Sequence, residues 1–176
     1  IINRHGIKPD VKYIDKIIQL KEPTNKKEVE RFLGMVQWLS KFCPNLSKYT
    51  EPISKLKRKN YQFKWDDNCK LYFNKIKNAI KLAEPLKYPE LDKTFYLITD
   101  ASDYAIGAVL MQLSTITSNK NNIKQLLPVE FMSKQLDTHQ RNWHCSEKEI
   151  YAIIFAVEKW KRYLLRKKFI IYTDHR

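Results

Sequence analysis

The sequence predicts an α/β chain, with a helical N-terminal half followed by a mixed sheet in strand–strand–strand–helix–strand order. Three observations carry this. Apolar residues recur at helical spacing at Val29, Phe32, Leu33, Val36 and Leu39. After Lys93 the pattern turns into short apolar runs separated by polar turns. The strongest helical stretch, Ser146 to about Leu165, then stands between two such runs.

The elements follow in order. Pro23-Thr24-Asn25 supplies a stop and then a cap, and Glu28 lies three residues past Asn25 as in a capping box. This helix is expected to run to about Lys41, and Pro44-Asn45 breaks it. A shorter helix is expected from Thr50 or Glu51, with Pro52 in its first turn, ending in the basic run around Lys59. Asp66 caps a third helix over about 66–82, with Phe73, Ile76 and Ile80 on one face. Pro85 and Pro89 bracket an extended linker. Strands are expected at Phe95–Thr99, Ala105–Gln112, Leu126–Ser133 (with Pro128 at its entry or at a bulge) and Phe169–Thr173. Residues 114–124 read as a polar hairpin loop, and Gly107 inside a strand implies close approach by another backbone. Ile150, Ile153, Ile154, Val157, Trp160 and Leu164 form the expected inner face of the last helix.

Composition narrows the function. The 176 residues carry 33 Lys/Arg against 19 Asp/Glu, a net charge of +14. Residues 1–90 hold +10 of it and residues 91–176 hold +4. Lys55–Lys59 and Lys159–Lys168 are basic clusters with aromatic neighbours, which suits a polyanionic partner such as nucleic acid. A solvated lysine-rich surface is the competing reading. Three widely spaced cysteines, Cys43, Cys69 and Cys145, offer no disulfide framework and suit a reducing compartment. The three glycines exclude a glycine-rich phosphate loop, and apolar runs of at most seven residues exclude a spanning helix.

The acidic residues suggest chemistry. A long helix between two strands makes a right-handed crossover, which leaves those strands parallel. If they are neighbours, Asp100 and Asp174 stand side by side at the carboxyl edge, where open α/β sheets place ligands. The acidic start of the helix, Glu147-Lys148-Glu149, offers a third carboxylate. Such a group needs a counterion, and two Mg²⁺ or Mn²⁺ ions suit hard oxygen ligands and phosphodiester cleavage. Alternatives stay open here. Terminal Asp residues form turns, and Ser146 to Glu149 fits a capping box that would occupy Glu149. His139, His144 and His175 read as surface or packing residues, and Asp103 as a turn residue.

At these residues a family resemblance emerges. Phe95 to Asp103 and Ala105 to Gln112 resemble the opening of the ribonuclease H domain in Pol polyproteins of gypsy-type (Ty3/gypsy) long-terminal-repeat retrotransposons. Asn142-Trp143, Glu147 to Glu149 and Tyr172 to His175 continue the likeness in order. Upstream, Gly6 to Asp10, Arg31 to Gly34 and Lys41 to Asn45 resemble the palm exit and thumb of the same family's reverse transcriptase. The resemblance implies a thumb-like helical region followed by a C-terminally truncated ribonuclease H-like sheet. It divides the chain into 1–60 (end of palm and thumb), 61–92 (connecting helix and linker) and 93–176 (ribonuclease H-like). It implies cleavage of RNA in RNA–DNA hybrids, with Asp100, Glu149 and Asp174 holding two Mg²⁺ or Mn²⁺ ions, and Glu149 rather than Glu147 by the match of Glu149 to Ile153.

Lys26, Lys27, Arg31, Lys57 and Arg58 are the candidate contacts to duplex phosphates. The implied partners are hybrid and duplex nucleic acid, the polymerase palm and fingers upstream, and the remaining ribonuclease H and integrase downstream. A fourth carboxylate is expected beyond Arg176 and the polymerase aspartates before Ile1, so the isolated segment is expected to be inactive in both reactions. The implied setting is intracellular, in a cytoplasmic virus-like particle with a nuclear stage, and not secreted. The alternative function is a non-catalytic nucleic-acid-binding fragment or relic of such an element.

Overall fold

A computed structural model describes residues 1–3, 6–58, 60–118 and 121–174. Lys59 of the basic run, the tip of the expected hairpin loop at 119–120, His175 and Arg176 lie outside the described residues.

The chain opens on a small antiparallel pair, β1 (Ile2–Asn3) and β2 (Gly6–Ile7). Helix α1 (Val11–Ile18) is capped by Asp10, whose carboxylate accepts from the Lys12 N–H at 3.0 Å. Helix α2 (Lys26–Trp38) is capped by Asn25, which accepts from the Glu28 N–H at 3.0 Å. The reciprocal half of the expected box is displaced by one residue. Glu28 accepts from the Thr24 N–H at 2.7 Å rather than from Asn25, and this bond holds its carboxyl below its ordinary value of 4.5. The helix stops short of Lys41, because a 3₁₀ turn at Ser40–Phe42 turns Phe42 into the core.

Helix α3 (Leu46–Ser54) starts four residues before Thr50 and so contradicts the expected position of Pro52, which falls in the last turn rather than the first. Asn45, left-handed at φ 54°, reverses the chain and drops Leu46 into the core. Pro52 has no N–H to give the Lys48 carbonyl one turn back, and the helix ends two residues later in a 3₁₀ turn at Lys55–Lys57. Helix α4 (Asp67–Lys81) matches expectation, with Asp66 accepting from the Cys69 N–H at 2.8 Å. Val29, Phe32, Ile53, Phe73, Ile76 and Ile80 close a helical core.

The sheet holds β3 (Phe95–Ala101), β4 (Ala105–Ser118), β5 (Asn121–Gln135) and β6 (Phe169–Tyr172) in the order β5-β4-β3-β6. β6 runs parallel to β3 and the other pairs are antiparallel. The expected polar loop at 114–124 is overturned. Residues 114–118 pair with 121–125 and extend the hairpin. The β-branched residues Thr115 and Ile123 favour this extension despite the polar composition. The register shifts by one where Leu110 faces Glu130 and Met111 faces Pro128, so Pro128 borders a bulge.

Each sheet face has a cover. Phe131 and Val109 join the helical core, while Phe95, Leu97, Ala108 and Leu110 face α5 (Cys145–Lys159). The expected inner face of α5 holds at Trp160 and Leu164 and fails in the first turns. Ile150 and Ile154 are 56% exposed, and the buried stripe is Glu149, Ala152, Ala156 and Trp160. Small alanines let the helix approach the sheet closely, and the isoleucines point outward. The helix also breaks at Trp160, and a short α6 (Lys161–Leu164) follows.

Candidate carboxylate site

Register brings the acids together. β3 and β6 pair in parallel with Ile98 opposite Tyr172, so two residues further on Asp100, near the end of β3, and Asp174, just past β6, lie side by side. Glu149 arrives from the first turns of α5, which packs against β3 and β4. Its Oε1 accepts from the Ala101 N–H at 3.0 Å, which pins it beside Asp100. One carboxylate oxygen from each of Asp100, Glu149 and Asp174 lies within 4.8 Å of the others. Glu149 is buried, whereas Asp100 and Asp174 are exposed.

The capping alternative for Glu149 resolves differently from either expectation. His144 is the N-cap, its ring accepting from the Ser146 N–H at 3.3 Å, and Glu147 accepts from the His144 N–H at 2.8 Å. Because the box starts at His144, its acidic partner is Glu147, and Glu149 is left facing β3. Lys148, between them, is 5% exposed and pairs with Asp103 at 3.0 Å. Asp103 is therefore more than a turn residue, since it ties the β3–β4 turn to α5. Sequence reasoning passed over Lys148. Its signal was a cation in the first turns of a helix, where the dipole opposes it.

Three hard oxygen donors converging from separate elements suit a divalent cation such as Mg²⁺ or Mn²⁺.

The expected phosphate contacts separate into two groups. Lys26 donates to the Arg58 carbonyl at 2.8 Å, which ties the start of α2 to the end of the 3₁₀ turn. Lys57 lines a cleft of about 470 Å³ with Gln37, Ser54, Lys134 and Gln135. Lys27 is exposed on α2, while Arg31 borders a separate groove with Glu22 and Glu28 and lowers the Glu28 pKa. In the second basic cluster, Lys159 and Arg162 are drawn to Glu130, at 3.5 and 3.7 Å. That cluster lies at the end of α5 remote from the carboxylates.

Comparison with known proteins supplies the family. Residues 65–171 match the model of the RNase H-like domain found in reverse transcriptase. The chain belongs to this family. The RNase H-like chain is also 36% identical over 177 residues to the Tf2-3 and Tf2-4 transposon polyproteins of Schizosaccharomyces pombe. That alignment covers 99% of the chain and 13% of each polyprotein, in keeping with the resemblance to retrotransposon Pol polyproteins. Among solved structures, a foamy viral protease-reverse transcriptase dRH in complex with double-stranded DNA superposes with a TM-score of 0.80 at 20% identity. It covers 99% of this chain and 29% of that one. The foamy viral protease-reverse transcriptase in complex with RNA/DNA hybrid gives 0.78 at 20% identity, over 99% and 23%. These two show a shared fold for helical region and sheet together. Among the described residues no helix is long and apolar enough to cross a membrane.

Proposed function

We propose that this chain is the part of a retrotransposon reverse transcriptase that cleaves the RNA strand of RNA–DNA hybrids, with Asp100, Glu149 and Asp174 holding the divalent ions. The observation that carries the reading is the convergence of these three carboxylates within 4.8 Å. Mg²⁺ or Mn²⁺ at this position would supply charge neutralisation at the scissile phosphate and activation of water.

The residues of the chain do the positioning. Paired strands fix Asp100 and Asp174, and the Ala101 amide and the Lys148–Asp103 pair fix the start of α5. The basic helical region serves the same substrate. Lys26, Lys27, Lys57 and Arg58 would contact backbone phosphates without reading bases, while Arg31 lines a groove with Glu22 and Glu28. Hybrid binding should then weaken steeply with salt.

The test uses the chain in its complete reading frame with Mg²⁺. Asp100→Asn should reduce hybrid cleavage to background and leave hybrid affinity at least as tight. Cleavage at the wild-type rate by that variant would refute the assignment.

A further inference from the structure

Next to the carboxylates lies a cleft built from both halves of the chain. Asp100, Ser102 and Gly107 come from the sheet, and Asn45 and Lys48 from the start of α3. A contiguous pocket of about 170 Å³ shares Asn45, Asp100 and Gly107. The candidate acids therefore have a wall supplied by the helical region, more than fifty residues earlier in sequence.

Three features of that wall depart from local expectation. Asn45 occupies the N-cap of α3, yet it stands at φ 54° and its side chain makes no capping bond. Asparagine is among the best capping residues, so its amide is directed elsewhere at some cost to the helix. It points at Gly107, where a Cβ would lie 3.2 Å from the Asn45 Oδ1. The glycine expected to admit another backbone thus admits this side chain. Lys48, one turn on, is exposed and forms no ion pair among the described residues.

The wall is fixed in place. Ser133 Oγ accepts from the Ser47 N–H at 3.0 Å, and the Gln135 amide donates to the Ser47 carbonyl at 3.2 Å. These bonds fasten the first turn of α3 to β5, so Asn45 and Lys48 hold a set position relative to Asp100.

We infer that Asn45 and Lys48 form a subsite for the sugar–phosphate backbone of the strand being cut. It would hold a phosphate adjacent to the one at Asp100, Glu149 and Asp174. This rests on the nuclease reading above and extends it. A polyanion entering beside three carboxylates meets repulsion. A compact ammonium on the opposite wall offsets that repulsion, and a neutral amide adds a donor without adding charge.

The test compares Lys48→Gln and Asn45→Gly with Lys70→Gln, a control that removes the same charge from the remote, exposed face of α4. All are made in the complete reading frame. RNA–DNA hybrid binding is measured in EDTA over a range of salt, and cleavage is measured in Mg²⁺. Lys48→Gln should lower the salt slope by about one unit and raise KM about tenfold. Asn45→Gly relaxes the left-handed backbone, so its melting temperature should hold or rise while KM increases. Lys48→Gln and Asn45→Gly indistinguishable from Lys70→Gln would overturn the subsite. If the wild type cuts while that result holds, the nuclease reading survives alone. If the wild type does not cut but Lys48→Gln still lowers the slope in EDTA, the subsite stands and the nuclease reading falls.

Discussion

Gly6 stands at φ 135°, and a Cβ there would lie 2.2 Å from the Leu86 carbonyl oxygen. Ile7 and Leu86 exchange backbone hydrogen bonds of 2.8 and 2.9 Å across this contact, which joins the N-terminus to the linker. Gly6→Ala should therefore destabilise the chain by about 1–3 kcal/mol, read from urea unfolding midpoints. An unchanged midpoint would mean that the contact is dispensable. The three thiols differ in exposure. Burial pushes the Cys43 thiol up to about 12 and raises that of Cys69, whereas Cys145 is exposed at the start of α5. One thiol per native chain should react rapidly with a disulfide reagent at pH 8, and Cys145→Ser should abolish the fast phase. Persistence of the fast phase in Cys145→Ser would place reactivity in the core.

Among the elements, α5 joins the sheet to the candidate site, and its packing has a direct test. Ala156 is fully buried against the sheet and Ile154 is 56% exposed. Ala156→Leu should cost about 1–3 kcal/mol by overpacking. Ile154→Ala should change stability by less than about 0.5 kcal/mol. The reverse order would turn the helix about its axis. Hydropathy places Trp160 and Leu164 inward correctly but errs at Ile150 and Ile154, because it marks large apolar residues and gives alanine little weight. Close helix–sheet approach favours alanine, and only the tertiary contact reveals that. Elements whose ends carry their own chemistry were legible. Asn25 and Asp66 cap helices as expected, and α4 lies within one residue of its expected bounds. The β4–β5 hairpin was less legible, because its Ser, Thr, Asn and Lys content resembles a loop while cross-strand pairing sustains a ladder.

Over the whole molecule, three acids spread across 75 positions meet at one rim. Their convergence was readable because it depends on topology: a crossover helix, two parallel strands and a shared carboxyl edge. The assignment of Glu147 to the cap depended on where α5 begins, and His144 gave little warning of it. Asn45 and Lys48 were not readable at all, because packing across the molecule brings them beside Asp100 and no periodicity encodes that. The same packing makes the helical region and the sheet share a core through Phe131.

Whether the converged carboxylates hold divalent ions is decided by Mn²⁺ binding, measured by electron paramagnetic resonance. The wild-type chain should deplete the free-ion signal, and Asp100→Asn with Asp174→Asn should restore it without loss of helical or sheet content. Equal depletion by wild type and double variant would place the bound ions away from these carboxylates.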